Sequence, residues 1–206
     1  MLEMIVEKAK GLLLNPVGMF QRSRADTIEQ TILYYSAIVL VHAVLSILVA
    51  FLILETGTVA LFDAMVKQLG VVMPLLGVIG AIVAVIAIEF FAVVFVFIIG
   101  GWLHLWVYLF GGRKGYTQTV KAMALGATPY MLIGWVPFIG PVIGGIWSVV
   151  LEILGVREMQ EISTARAAAA VIIAGVVIAI LVAFLAALFF IAAVSSVSPV
   201  PPIKIY

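Results

Sequence analysis

The stretch of residues 111–166 decides the fold of this chain: GGRKGYTQTVKAMALGATPYMLIGWVPFIGPVIGGIWSVVLEILGVREMQEISTAR. It begins with a basic, glycine-rich turn and continues into two apolar runs, 120–136 and 141–156, which are separated by a corner containing Pro137 and Pro141. The second run ends in a charged amphipathic stretch. Proline interrupts helical hydrogen bonding. We therefore expect a helical hairpin in which charged residues flank both open ends.

The composition places the chain in the class of polytopic α-helical membrane proteins. Hydrophobic residues make up 66% of it and charged residues 10%, whereas a globular domain is about half apolar and a quarter charged. The mean hydropathy is +1.33. Long apolar runs such as 83–96, in which Glu89 is the single polar residue, exclude a membrane β-barrel, whose strands alternate apolar and polar residues. The chain has no cysteine, which excludes disulfides, iron–sulfur clusters and thiolate metal sites.

Five apolar runs predict an all-α bundle of five transmembrane helices: 32–54, 74–110, 120–136, 141–156 and 167–194. A bilayer core needs about 20 helical residues, and the two runs of the hairpin are shorter than this. Two full spans and one re-entrant hairpin therefore remain alternatives for 120–136 and 141–156. Both alternatives leave the two termini on opposite sides of the membrane.

The distribution of basic residues predicts the orientation. All but two of the eleven Lys and Arg residues precede the first run or lie beside the ends of the hairpin; the exceptions are Lys67 and Lys204. Because cytoplasmic loops are enriched in Lys and Arg, we expect a cytoplasmic N-terminus and a C-terminus outside.

We expect three segments along the chain. Residues 1–30 form a cytoplasmic interfacial amphipathic helix and linker, because apolar residues recur there at helical spacing with charges between them. Residues 31–194 form the transmembrane domain, and 195–206 form a Pro-rich extracytoplasmic tail. For the N-terminal helix, a simple membrane anchor and a sensor of membrane or partner are both compatible with the pattern.

Four ionisable residues inside the apolar runs are candidate intramembrane groups: His42, Glu89, His104 and Glu152. Such groups are costly in a bilayer and often functional. Glu89 has no polar neighbour within one helical turn. It is either a proton- or cation-binding carboxylate or a protonated carboxyl that hydrogen-bonds another helix, with His42 or Ser46 as partner. His104 lies among aromatic residues, which is typical of a membrane interface.

The sequence predicts no metal, cofactor or catalytic group. Glu89 and His104 are about 22 Å apart along an unbroken helix, at 1.5 Å per residue, so they cannot share an ion. No Ser, His and acid occur at comparable depth, which gives a hydrolase triad little support. The basic residues are too few and too scattered for nucleic-acid binding.

Two polar groupings are expected on the cytoplasmic side. Glu152 and Lys121 approach each other across the hairpin and predict a structural ion pair, with Arg157 as a competing partner of Glu152. A mixed-charge docking surface is predicted to consist of Arg113, Lys114, Arg157, Glu158, Glu161 and Arg166. The expected partners are the lipid bilayer and a membrane or cytoplasmic protein, or a second copy of the chain.

A stripe of small residues follows the last apolar run at four-residue spacing: Gly175, Ala179, Ala183 and Ala187. In lipid, small residues allow helix backbones to approach closely. We expect this stripe to pack inside the bundle, with dimerisation as the alternative.

The hairpin segment resembles the Yip domain family of integral membrane proteins. The matching elements are the GG-x-x-x-Y-T-Q-T turn at 111–119, the G-A-T-P step at 126–129, the G-W-V-P corner at 134–137, Ile146-Trp147 and the V-R-E-M-Q-E-I-S-T-A-R run at 156–166. The upstream Asn15-Pro16 and Phe20 also look like prokaryotic members. The resemblance implies five membrane helices and a cytoplasmic N-terminus, and it brings no catalytic residues.

The resemblance implies a non-enzymatic membrane protein. Eukaryotic members act in vesicle trafficking and have a substantial cytosolic N-terminal region, whereas only about thirty residues precede the first span here. We therefore expect a prokaryotic-like member, in a prokaryotic cell membrane, that organises membrane or recruits partners through its cytoplasmic face. The alternative is a small transporter or channel in which Glu89 binds a proton or cation.

Overall fold

The computed structural model describes residues 2–55 and 72–195, and in this part of the chain the secondary structure is helical, with no strand. The helices are α1 Leu2–Leu14, α2 Pro16–Ser23, α3 Ile28–Glu55, α4 Val72–Leu109, α5 Tyr116–Gly126, α6 Thr128–Ile133, α7 Ile139–Gln160 and α8 Thr164–Ser195. The expectation of an all-α fold is thus confirmed. The loop with Lys67 and the tail beyond Ser195 with Lys204 lie outside the described residues.

Within residues 2–55 and 72–195, four helices are long and apolar enough to cross a membrane: Ile28–Ala50, Gly77–Leu109, Ile139–Gln160 and Thr164–Ala192. The predicted run 120–136 is the exception, because it forms two short helices, α5 and α6. The break has a local cause. The Thr128 hydroxyl donates to the Leu125 carbonyl at 2.6 Å, and Pro129, in the first turn of α6, has no N–H to continue α5.

The predicted hairpin is present, and glycines hold its two arms together. A Cβ added at Gly126 of α5 would lie 2.7 Å from Cγ of Glu152 in α7, and one at Gly144 of α7 would lie 3.0 Å from Cα of Tyr130 in α6. Such distances leave room only for hydrogen, so glycine permits this backbone approach. The hairpin turns at Phe138, which has a positive φ of 65° and is 92% exposed.

The N-terminal helices fold back onto the bundle instead of standing apart from it. The Asn15 side chain accepts a hydrogen bond from the Gly18 N–H and caps α2, whose first residue is a proline. Leu12 of α1 and Phe20 of α2 are fully buried. The Phe20 ring occupies the space above Gly155 of α7. Helices α1 and α2 therefore supply part of the hydrophobic core.

The expectation that the small-residue stripe of α8 packs inside the bundle is wrong. Gly175, Ala179, Ala183 and Ala187 are all exposed, and a Cβ added at Gly175 would meet no atom within 4 Å. The reason is that α8 contacts α4 and α7 mainly through its first half, where Ala167, Ala170 and Ala174 are buried.

Candidate functional site

Polar contacts concentrate at one end of the bundle, which we call the charged end: α1, α2, the connector 24–27, the turn 110–115 and the junction between α7 and α8. Lys121 lies at its centre and is 1% exposed. Its Nζ donates to the backbone carbonyls of Arg24 at 2.8 Å and Asp26 at 2.9 Å. Lys121 thereby fixes the connector that joins α2 to α3.

The predicted ion pair between Lys121 and Glu152 is not formed. Lys121 stands near the start of α5 and faces the connector, whereas Glu152 packs against Gly126 at the far end of the same helix. The two positions on α5 are about 7–8 Å apart, at 1.5 Å per residue. Arg157, the competing partner of Glu152, pairs with Glu158. The sequence pattern correctly indicated that α5 and α7 pack together, but it did not indicate which positions on the two helices face each other.

A second cation, Lys8 of α1, holds the same connector from the other side. Its Nζ lies 2.6 Å from Oδ2 of Asp26 and 5.7 Å from the centroid of the Tyr34 ring. The Tyr34 hydroxyl is in turn 2.9 Å from the Thr128 hydroxyl, and both residues are fully buried. The contacts tie α1 to the connector, α3 and α6. The pairing of Lys8 with Asp26 was not predicted, because the two residues are separated by 18 positions with no motif between them.

Glu158 was expected on a docking surface, and the structure places it in the interior of the charged end instead. It is 9% exposed. It accepts hydrogen bonds from Gln21 at 3.0 Å, from Arg24 at 3.2 Å and from Arg157 at 2.8 Å. These contacts join α2 to α7. Glu158 and the half-buried Arg157 therefore hold helices together, and a partner protein cannot reach the Glu158 carboxylate.

Gln160 connects the turn 110–115 to α5. Its side chain is 2% exposed; it accepts from the Lys114 backbone N–H at 2.9 Å and donates to Thr119 Oγ1 at 2.9 Å. Thr119 Oγ1 also lies 2.8 Å from Nδ1 of His104. His104 thus takes part in a hydrogen-bond chain that links α4, α5 and α7. The turn itself needs glycine, because Gly111 and Gly115 have φ values of +96° and +95°.

The other predicted docking residues do lie together at the surface. Glu161 follows α7 in a left-handed conformation and pairs with Lys114 and Arg24; its side chain is 45% exposed and that of Lys114 is 50% exposed. The hydrogen bond from Lys114 holds the pKa of the Glu161 carboxyl below its usual range. Arg113 is exposed, with its guanidinium 3.8 Å from the Tyr108 ring centroid.

Arg166 of α8 completes this group, because its guanidinium reaches the Gly111 turn: a Cβ added at Gly111 would lie 3.4 Å from one of its nitrogens. We call the set of Arg113, Lys114, Glu161 and Arg166 the docking face. Three cations and one carboxylate give it a positive balance. Helix α7, the turn and α8 hold it rigidly.

The bundle interior contains a second candidate site around Glu89 of α4. Both carboxylate oxygens of Glu89 are enclosed, and neither has a hydrogen-bond partner in the described residues. His42 and Ser46, the predicted partners, do not supply one. His42 instead bonds the Met131 carbonyl through Nδ1 at 3.2 Å and stacks on Tyr130. Glu89 and Glu152 both lie within electrostatic reach of the Tyr35 hydroxyl.

No group of three or more His, Asp or Glu side chains in the described residues could hold a metal ion. The interior site therefore consists of two carboxylates and a tyrosine hydroxyl contributed by α3, α4 and α7. Groups of these types can form hydrogen bonds.

The apolar helices and their charged end define an integral membrane protein embedded in lipid. The profile of the Yip1 domain matches residues 10–197. The chain therefore belongs to the Yip1 domain family, and the resemblance noted in the hairpin extends over nearly its whole length. A search of curated proteins returns no match, and neither does a search of solved structures.

Proposed function

We propose that this protein is a non-enzymatic membrane organiser that recruits a protein partner, or a second copy of itself, through the docking face. One observation carries the proposal. Beneath four exposed charged residues, four other cations of the charged end hold the fold together: Lys121 and Lys8 hold the connector, and Arg24 and Arg157 hold Glu158. An exposed charged surface held in place by the fold suits recognition by charge complementarity.

The proposed topology places the charged end in the cytoplasm, the C-terminus outside and the hairpin across the membrane as two of five spans. The positive-inside bias supports the orientation. Helix α7 has 22 residues and is about 33 Å long, and residues 116–133 of the other arm cover about 27 Å, at 1.5 Å per residue. Both lengths are close to the hydrocarbon thickness of about 30 Å. We place the protein, as a prokaryotic-like family member, in a prokaryotic cell membrane.

The topology has a direct test, because the chain contains no cysteine. Phe138→Cys places a single thiol at the exposed tip of the hairpin. A membrane-impermeant maleimide added outside intact cells should label it, and should not label Ala165→Cys at the charged end. A tip thiol that reacts only after detergent is added would overturn the two-span hairpin in favour of a re-entrant one.

Photo-crosslinking in native membranes tests the recruitment. A photoreactive amino acid in place of Ala165, which is exposed beside Arg166, should give a discrete adduct with a protein or with a second copy. The same amino acid at Phe138 is the control, since Phe138 is also exposed but remote from the docking face. Absence of any adduct from position 165, or the same adduct from both positions, would remove the proposal.

The second candidate function is a small transporter or channel, and the enclosed, unpartnered Glu89 carboxylate favours it. A carboxyl in an apolar environment can carry a proton. The purified protein in liposomes should then conduct protons or cations. Glu89→Gln should abolish this flux, and Glu29→Gln, an exposed residue at the start of α3, should preserve it. No flux from the wild-type protein, or flux that survives Glu89→Gln, would exclude Glu89 from this role.

A further inference from the structure

A cleft between α1 and α2 is separate from the docking face and from the Glu89 site. Its volume is about 240 Å³, and its lining includes Glu7, Lys10, Leu14, Asn15 and Arg22. The two helices stand close because glycine lies at the contact. At Gly11 a Cβ would collide with the Met19 side chain. The cleft is therefore formed by close packing of α1 against α2.

The two cations of this cleft differ from five others at the charged end. Lys8, Arg24, Lys114, Lys121 and Arg157 all donate to carboxylates or carbonyls of the fold. Lys10 and Arg22 are exposed, and neither side chain has a hydrogen bond or an ion pair with another described residue. The fold brings two positive charges to one cleft and leaves both without an anion.

The cleft also borders an exposed apolar stripe on α1. Leu2, Val6, Lys10 and Leu14 follow one another at four-residue spacing, which places them along one side of a helix. The three apolar members are 75%, 43% and 83% exposed, while Leu12, on the side of α1 that packs on the bundle, is fully buried. Apolar side chains of this size are stable at a surface when lipid covers them. Leu14 brings that apolar stripe to the rim of the cleft.

We propose that this cleft binds the headgroup of an anionic phospholipid. The phosphate would lie between Lys10 and Arg22, and the acyl chains would run along Leu14 and Val6. Asn15 adds a donor, because its Oδ1 is used by the Gly18 N–H and its amide NH₂ group stays available. An acidic protein segment would satisfy the cations and leave the apolar stripe in water. A phospholipid satisfies both with one molecule, which is why we choose it as the occupant.

Glu7 offers a control that tests whether the bound ligand is negatively charged. Its carboxylate lines the same cleft and repels an anionic headgroup. Removing this charge should therefore strengthen binding, whereas removing Lys10 and Arg22 should weaken it. A nonspecific loss of structure would weaken binding in both cases.

The test uses the full chain in nanodiscs of phosphatidylcholine containing one fifth phosphatidylglycerol, and measures by native mass spectrometry which lipid stays bound after mild extraction. Phosphatidylglycerol should be enriched on the wild-type protein. The Lys10→Gln/Arg22→Gln double variant should show roughly 30-fold weaker retention, from about fivefold per cation near an anionic surface. Glu7→Gln should raise retention. Arg113→Gln/Lys114→Gln, which removes two charges from the docking face, should leave it unchanged.

The proposal is overturned if the wild-type protein retains both lipids equally, or if the docking-face variant loses as much phosphatidylglycerol as the cleft variant. Inorganic phosphate at millimolar concentration serves as the competing anion. If it displaces the retained lipid from the cleft, the site recognises free phosphate and the lipid assignment is wrong. Thermal unfolding in detergent, measured on each variant, checks that the α1–α2 hairpin is intact.

Discussion

Replacement of Lys121 by methionine tests how the N-terminal helices are attached to the bundle. Methionine has a similar length and apolar volume but cannot donate. The change removes two hydrogen bonds from a buried ammonium to the carbonyls of Arg24 and Asp26. A hydrogen bond to a charged group contributes about 1.5–3 kcal/mol. We expect the free energy required for local opening of the connector 24–27 to fall by about 3 kcal/mol. This corresponds to a roughly 100-fold larger open population.

Limited trypsin digestion measures this opening, because Arg22 and Arg24 lie next to or in the connector. When reclosing is faster than cleavage, the cleavage rate follows the open population. Lys121→Met should therefore be cleaved there roughly 100-fold faster than the wild-type protein.

Two variants serve as controls for the Lys121 prediction. Lys114→Met breaks an exposed pair worth about 0–1 kcal/mol and should change the rate by less than about fivefold. Glu152→Gln should not change it, since Glu152 does not bond Lys121. A Lys121→Met rate within threefold of the wild type, or an equal acceleration by Glu152→Gln, would refute the assignment.

Other predictions concern the hairpin and the docking face. Gly126→Ala should destabilise the protein by about 1–3 kcal/mol in thermal unfolding, because the added methyl would lie 2.7 Å from Glu152 Cγ. Gly145→Ala, where a Cβ meets nothing within 4 Å, should be neutral or stabilising by up to about 1 kcal/mol; equal losses at both positions would contradict the packing. Because Lys114 lowers the folded-state pKa of Glu161, the stability this carboxylate contributes should be present above its unfolded pKa of 4.5 and lost as pH falls through the lower folded value. Glu161→Gln should remove this part of the acid sensitivity, and an unchanged pH profile would show that the pair contributes nothing.

The composition was enough to predict the fold class, and the position of the prolines was enough to predict the hairpin. The apolar runs had the length and continuity that a bilayer requires, and Pro137 and Pro141 marked the corner where the chain reverses. The break between α5 and α6 was harder to predict. Thr128 and Pro129 are both visible in the sequence, but apolar residues on either side mask the interruption in any average of hydrophobicity.

The partners of individual polar residues were less accessible. Lys121 bonds backbone carbonyls more than ninety positions away, and backbone acceptors leave no trace in the side-chain sequence. Glu158 and Glu161 lie in one charged stretch and look alike, yet only Glu158 faces α2. That difference is set by where α2 packs, which depends on the buried Phe20 fitting over Gly155. Sequence patterns therefore grouped the charged residues of this end and could not separate the buried Glu158 from the exposed ones.

The central claim is that the exposed cations of the docking face recruit a partner. The most direct measurement is the yield of the photo-adduct from position 165 in native membranes, in the wild-type background and in the Arg113→Glu/Arg166→Glu double variant. These two side chains lie at the surface and outside the Lys8, Lys121 and Glu158 contacts, so the fold should persist. The account predicts an adduct yield at least about tenfold lower after charge reversal, since like charges across an interface repel. An adduct that forms equally well in both backgrounds would contradict it.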